Sequence, residues 1–259
     1  MSLDAAKNAI RERMWTALIE AQVSTTDAQG YIPDFVGSDR AAELLASTEA
    51  WRDARTVKAN PDTSQLPVRA RALAEGKILY MAVPKIATIE PFYVIDPAAS
   101  DLPPAQAASS GVAAQASPRV GIEEMRLIDL VVCGTVAVNR QGVRIGKGAG
   151  YSDIEVALLI EDGVVTDETV IVTTVHSLQV VDEPLPEGDH DFRVDLIVTE
   201  NDIIECPRSL RPSGLIWESM PAEKIKAIPI LGARAKNHLN QGTSSASPSV
   251  MNSSRSRRG

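Results

Sequence analysis

From Arg144 to Asp153 the chain reads RIGKGAGYSD, with glycine at every second position from Gly146 to Gly150 and two cations, Arg144 and Lys147, beside them. Glycines let successive peptide units curl so that their N–H groups point the same way, and a concave row of amides suits an anion. The turn runs straight into an apolar helical segment, whose unpaired first amides and dipole favour the same charge. Side-chain charge, backbone amides and helix start thus select phosphate at one place. The spacing is neither that of a Walker A loop, which lacks its Lys-Ser/Thr pair here, nor the dinucleotide-binding G-x-G-x-x-G. On residue types alone a second reading stays open: a turn whose glycines only separate two elements.

Other residues of chemical interest lie far away in sequence. Lys7 and Arg11 are four apart and share a helix face; side by side they repel unless an anion lies there, and alone they read equally as solvated charges near Glu12. Ser152 and Glu155 have the spacing of a capping box. LPEGDHDFRVD sets Asp189, His190, Asp191 and Asp195 before and within a strand-like run, expected at the carboxyl edge of a parallel sheet, where carboxylates hold magnesium or orient water. His190 could be base, ligand or turn residue, and Asp189 a loop solvator. His176 reads as a hydrogen-bonded strand terminus, and His238 belongs to the terminal stretch.

These residues need a scaffold. Leu3 to about Gln22 places Ala6, Ile10, Met14, Ala17, Leu18 and Ala21 at helical spacing, an amphipathic helix carrying Lys7 and Arg11. Ser38 is placed to cap a second helix, and Asp62, Thr63 or Ser64 a third running through Glu75, with Pro67 in its first turn and Gly76 closing it. KILYMAVP reads as a buried strand, LIDLVVCGTVAVN as a central strand and turn broken at Gly134, YSDIEVALLIED as a helix, and TVIVTTVH, RVDLIVT and DIIEC as further strands. Short β-branched runs alternating with helices predict an α/β fold, a mostly parallel sheet covered on both faces, in one domain over residues 1–228. Within it, residues 96–118, rich in Pro, Ala, Ser and Gln, are expected to form a mobile loop with little to bury. Residues 229–259 are expected to be a disordered, basic, Ser-rich tail.

The 259 residues are 44% hydrophobic and 23% charged, the proportions of a globular protein large enough to enclose a site. With only three Trp, four Tyr and three Phe, the core must be Val, Leu, Ile and Ala. The net charge of −8 is uneven: Gly232–Gly259 holds Arg234, Lys236, Arg255, Arg257 and Arg258 and no acid, so the remainder carries −13. An acidic body argues against nucleic acid as partner and leaves room for a local basic pocket. No apolar run reaches the ~18–20 residues of a membrane span and the N-terminus lacks a signal-peptide pattern, so a cytoplasmic chain without a membrane partner is expected. Cys133 and Cys206 lack metal-ligand spacing and read as buried structural thiols.

Three of these segments together, K-x-x-x-R at Lys7 and Arg11, R-x-G-x-G-x-G-Y-x-D from Arg144 to Asp153, and P-x-x-x-H-D-x-x-V-D-x-I-V-T-E from Pro186 to Glu200, resemble the 5-formyltetrahydrofolate cyclo-ligase (methenyltetrahydrofolate synthetase) family over about Ala5 to Cys206. ARTVKANPD, VRIGKGAGYSDIE, VHSLQVVD and PSGLIW are similar to its branch of methenyltetrahydrofolate synthetase domain-containing proteins. Animal members of that branch carry an added RNA-recognition domain, and no RNP-type aromatic segment occurs here. The resemblance implies a three-layer α/β/α sandwich related to sugar-phosphate isomerases and CoA transferases. It implies conversion of 5-formyltetrahydrofolate to 5,10-methenyltetrahydrofolate with ATP and magnesium (Mg2+), a reduced folate being the small-molecule partner.

Carried onto this chain, the resemblance implies that Arg144, Gly146, Lys147, Gly148, Ala149 and Gly150 hold the ATP phosphates, with Lys7 and Arg11 closing on them. Lys147, Arg144 and Tyr151 would be the catalytic set, with Tyr151 between nucleotide and pterin, and Asp153 and Asp191 would hold the metal. Two positions depart from the family: Ser152 stands where a second tyrosine is common, and Asp62 falls where a substrate-binding glutamate is typical. Two other readings are therefore carried, a non-catalytic nucleotide- or folate-binding regulatory homologue, and an enzyme of this fold using ATP on another N-formyl or carboxylate substrate.

Overall fold

The computed structural model describes residues 2–209 and 211–244. Helix α1 (Leu3–Glu20) starts on Ser2, whose hydroxyl accepts the Ala5 amide. α2 (Ser38–Ala46) and α3 (Glu49–Asp53) lead into β1 (Thr56–Ala59), and α4 (Leu66–Ala74) returns the chain to β2 (Ile78–Ala82). Next come β3 (Phe92–Ile95), α5 (Pro104–Ala107), α6 (Ser110–Ala116), β4 (Arg119–Val120) and β5 (Leu130–Cys133). A hairpin of β6 (Ala137–Asn139) and β7 (Arg144–Ile145) precedes α7 (Tyr151–Glu161). The chain continues through β8 (Val170–Thr174), β9 (Val180–Val181), β10 (Leu196–Val198), β11 (Ile203–Glu205), α8 (Ala222–Ala227) and α9 (Pro229–Ser244).

The main sheet runs β11-β10-β8-β5-β1-β2-β3-β4. From β10 to β2 all neighbours are parallel, in register Val198↔Thr174, Val131↔Ile171, Val57↔Leu130 and Val57↔Leu79; β3, β4 and β11 are antiparallel additions at the edges. The pleat alternates side chains between faces. Leu79, Met81, Leu130, Val132 and Val172 join a core with α2, α4, α5 and α6; Tyr80, Ala82, Val131, Cys133 and Ile171 join another with α7 and α9. The predicted sheet, covered on both faces, is thus present as three layers. A second sheet, β7-β6-β9, packs Val136, Ala137, Val143 and Ile145 against Met14, Trp15 and Leu18 of α1, which carries the α1 cations to the turn after β7.

Several expectations are corrected. Residues 96–118 are not a bare loop: α5 and α6 lie there, and Ala107, Ala108 and Ala113 are buried. Alanine exposes little apolar area, yet it lets helices approach closely, and the Ala108 carbonyl accepts from Arg69 of α4 at 2.9 Å. The tail expected from residue 229 opens instead as α9, with Ile230 and Leu231 in the core; residues 245–259 lie outside the described residues. Ser38 is the first residue of α2 rather than its cap, which is Gly37 at φ +95°. The Ser152–Glu155 capping box does not form: α7 is capped by Gly150 at φ +68°, and both side chains turn to β1. Cys133 is buried, whereas Cys206 is half-buried, its thiol pushed up to about 11 by burial with Asp195 adding to it. DIIEC pairs antiparallel as β11.

Two tests follow from local geometry. Gly142 has φ +80° and a Cβ there would sit 2.3 Å from the Val194 carbonyl oxygen, while Gly163, at φ +68°, faces open space. Gly142→Ala should cost about 1–3 kcal/mol in urea unfolding and Gly163→Ala about 1 kcal/mol. Asp34 is buried, which works against its charge, but hydrogen bonds from Thr25, Thr26 and Ser24 outweigh burial and hold its carboxyl below the ordinary value. A carboxyl depressed on folding stabilises above its unfolded value of about 3.9 and loses that contribution as pH falls through the folded value. The urea midpoint of the wild type should therefore exceed that of Asp34→Asn above about pH 4, with the gap closing toward pH 2.

Candidate functional site

The turn after β7 is built to receive an anion. Gly148 has φ +96°, and a Cβ there would stand 3.2 Å from the Arg11 guanidinium carbon, so the missing side chain lets Arg11 lie on the turn. Arg11 donates through Nε to the Gly146 carbonyl at 2.7 Å and through Nη1 to Asn8 at 2.5 Å. No side chain caps α7, whose first amides face the cleft with its dipole behind them. Lys224 closes one side, donating to the Ala149 carbonyl at 2.6 Å and lying 3.9 Å over the Tyr151 ring.

Several cations converge here, and Arg144, Lys7 and Lys147 are paired to carboxylates. Arg144 is buried; it bonds Asp153 at 2.8 Å, contacts the Gly134 carbonyl at 3.4 Å and stacks 4.0 Å over Phe192, and its Nε has no partner among the described residues. Burial works against its charge, yet Asp153, Cys133 and Asp191 together outweigh burial and raise its pKa. Lys7 is joined to Asp191, and Lys147 to Asp62 at 3.1 Å. Arg11 has no carboxylate in contact among the described residues, and burial lowers its pKa against the pull of Asp4, Asp191 and Asp153. Lys85 reaches the rim from a turn in which it and Ile86 adopt φ +59° and +52°, a backbone rarely held without cause.

Beneath the turn lies a polar floor for which the glycine motif gives no signal. Lys58 of β1, fully buried, donates to Glu155 of α7 at 2.5 Å and to Asn60 at 2.7 Å, and Asn60 donates to Ser152 at 2.7 Å. The available clue was a lysine inside a short strand, TVKA. Arg69, also buried, donates to the carbonyls of Asn60 and Asp62 at 2.5 and 2.9 Å, fixing the loop that presents Asp62. Burial pushes its guanidinium down to about 10, against the pull of Asp62.

The resulting cleft holds about 470 Å³ and is lined by Lys7, Arg11, Asp62, Arg144, residues 146–152, Asp153 and Asp191, so the structure brings together all the residues assigned to the site from sequence. It does not bring in the others of the 185–195 segment. Asp189 is exposed, and His190 shares a 2.9 Å hydrogen bond with Ser219. Asp195 is at the opposite end of the sheet from the expected carboxyl edge, bonded to the Ile171 amide at 2.7 Å and to Arg211 at 2.5 Å. His176 starts a 3-10 turn and accepts the Leu178 amide, while the side chain of His238 is outside the described residues. Among the described residues no cluster of three or more His, Cys, Asp or Glu side chains could hold a metal, and no helix is long and apolar enough to cross a membrane.

The profile of the 5-formyltetrahydrofolate cyclo-ligase family matches residues 4–200. The methenyltetrahydrofolate synthase domain-containing protein of Bos taurus is 38% identical over 236 residues, covering 87% of this chain and 61% of the relative; that of Homo sapiens is 36% identical over 239 residues, covering 89% and 61%. The chain thus spans about three fifths of the length of these relatives. The NMR structure of Aquifex aeolicus 5,10-methenyltetrahydrofolate synthetase is similar in fold, with a TM-score of 0.51 at 21% identity over 79% of this chain and 96% of that one. A cleft in which Lys7, Arg11 and the Arg144–Asp153 turn meet is where the matched segments come together, and the chain belongs to the 5-formyltetrahydrofolate cyclo-ligase family.

Proposed function

We propose that the protein converts 5-formyltetrahydrofolate to 5,10-methenyltetrahydrofolate with ATP and magnesium, in the cytoplasm. The observation that supports this most is the gathering of Lys7, Arg11, Arg144 and Lys147 around the amides of Gly146–Gly150 in one cleft of a chain of this family. Like charges at such spacing need an anion or private carboxylates to stay together, and a triphosphate supplies the anion.

The formyl oxygen is a poor leaving group. Its attack on the γ-phosphorus releases ADP and leaves an imidate phosphate; N10 then adds to the formyl carbon, phosphate departs with the original oxygen, and the N10 proton is lost. Phosphoryl transfer of this kind asks the protein for positioned positive charge rather than covalent help. Lys147 is the cation best placed to follow the moving phosphoryl group: half-exposed and paired with Asp62, it can exchange that carboxylate for phosphate. Arg144, buried and fixed by Asp153, provides static charge, and Tyr151, with Lys224 on its ring, forms the wall between nucleotide and folate.

Asp153 and Asp191 fit a magnesium ion. Each lines the cleft and now neutralises a cation, and magnesium uses one or two carboxylates while phosphates and water complete its shell. Bound there it would offset charge on the β- and γ-phosphates.

One observation favours the second reading, a non-catalytic nucleotide- or folate-binding homologue: Asp62, where a substrate-binding glutamate is typical of the family, is engaged by Lys147. A single assay separates the two. Purified protein with 5-formyltetrahydrofolate, ATP and magnesium should develop the near-ultraviolet band of the methenyl product; ATP binding without that band would establish the second reading instead. Lys147→Ala should lower kcat by about 100-fold or more with unchanged circular dichroism and melting temperature; a variant with near-full rate would remove Lys147 from the mechanism.

A further inference from the structure

The Lys58–Glu155 pair is used by none of the steps above, and stability does not account for it. A buried ion pair typically contributes no more than well-packed apolar residues of the same volume. The pair is one rung of a ladder. Lys58 of β1 and Asn60, the residue just after it, are two apart; Ser152 and Glu155 are three apart on α7 and share a face. Lys58 holds Glu155 Oε2 and Asn60 Oδ1, and Asn60 Nδ2 holds Ser152 Oγ. Two groups are left over in the cleft wall and are not buried: Glu155 Oε1, an acceptor, and the Ser152 hydroxyl, a donor, neither with a protein partner among the described residues. Both groups belong to residues that line the cleft, so a ligand entering it can supply the missing hydrogen bonds.

We infer that Glu155, fixed by Lys58, selects the heterocycle of the substrate: it accepts from the amino group of a 2-amino-4-oxo ring, while Ser152 donates to the ring carbonyl. This rests on the folate reading above. Side chains three apart on a helix stand about 5–6 Å from each other at Cβ, the scale of the edge that carries an amino group and a carbonyl on either side of a ring N–H. The ring would lie over the first turns of α7, with phosphates at its amino end, and Ser152 would serve as a polar contact where a second tyrosine is common in the family.

Dissociation constants from titration calorimetry test this with three ligands, 5-formyltetrahydrofolate, its 2-desamino counterpart and ATP. The wild type should bind the 2-amino compound about 10–100-fold more tightly than the desamino one, because a hydrogen bond to a charged group is lost in the latter. In Glu155→Gln that ratio should fall toward one, with ATP affinity unchanged. Glu155→Asp, which keeps the charge for Lys58 but withdraws the oxygens by one methylene, gives the same readout should Glu155→Gln not fold. A ratio preserved in the variant, or a loss that appears on ATP, overturns the assignment of Glu155 while leaving turnover of the folate intact. A wild type that binds neither folate overturns the underlying reading and this inference with it.

Discussion

A guanidinium without water around it must find other partners, and Arg144 finds them on separate segments of the chain. Asp153 belongs to α7, Gly134 to the end of β5, and Phe192 to the loop before β10, while Arg144 itself is on β7 of the small sheet. Breaking such a contact strands a charge in the interior, which costs several kcal/mol, on the order of 3–5. The small sheet, the main sheet and the carboxylate-bearing loop are therefore tied at one point, and the glycine turn hangs from it. The unpartnered Nε of Arg144 shows that the tie is not saturated by protein groups among the described residues.

The remaining cations follow a different rule. Lys7 and Lys147 each hold a carboxylate on a distant segment, Asp191 and Asp62. Such pairs keep like charges together without ligand, and each can be traded for an interaction with phosphate. The formal charge of −8 thus describes the whole chain poorly: the acidic body surrounds a cleft in which Lys7, Arg144 and Lys147 each hold a carboxylate. Arg11 is the exception. Among the described residues its hydrogen bonds go to a carbonyl and an amide oxygen, which leaves its charge available to an entering anion.

How much of this was legible in the sequence follows from the physics of each signal. The glycine turn and the i, i+4 cations were legible because they are local patterns with a mechanical meaning, and the apolar runs of β2, β5, β8 and β10 because parallel strands are buried on both faces. The central strand β1 was not, since four residues with a lysine among them carry no periodicity. The burial of residues 107, 108 and 113 was hidden because alanine is ambiguous between surface and close-packed interior. Ser152 and Glu155 have the spacing of a cap, but the left-handed Gly150 already starts the helix, which frees both side chains for β1. The Lys58–Glu155 contact joins residues 97 apart, and nothing local announces it.

The place of the cleft is a consequence of topology. From β1 the chain moves through α4 to β2 on one side, while β5, β8 and β10 extend the sheet on the other, so the order of strands reverses between β1 and β5. At such a point the connections leaving neighbouring carboxyl ends go to opposite faces and a crevice opens between them. Here α4 packs on one face and α7 on the other, with Asn60 and Asp62 leaving β1 and Gly134 leaving β5 at the crevice. At Gly134 a Cβ would stand 2.8 Å from Asp62 Oδ2 and 2.9 Å from Ile32 Cγ2, so a side chain there would push those side chains aside. Because α7 begins over the same crevice, its uncapped amides and its Ser152–Glu155 face are both aimed there, one toward an anion and the other toward the polar end of β1. The fold supplies the crevice; Ser152 and Glu155 of α7, with Lys58 and Asn60, set what chemistry its floor presents.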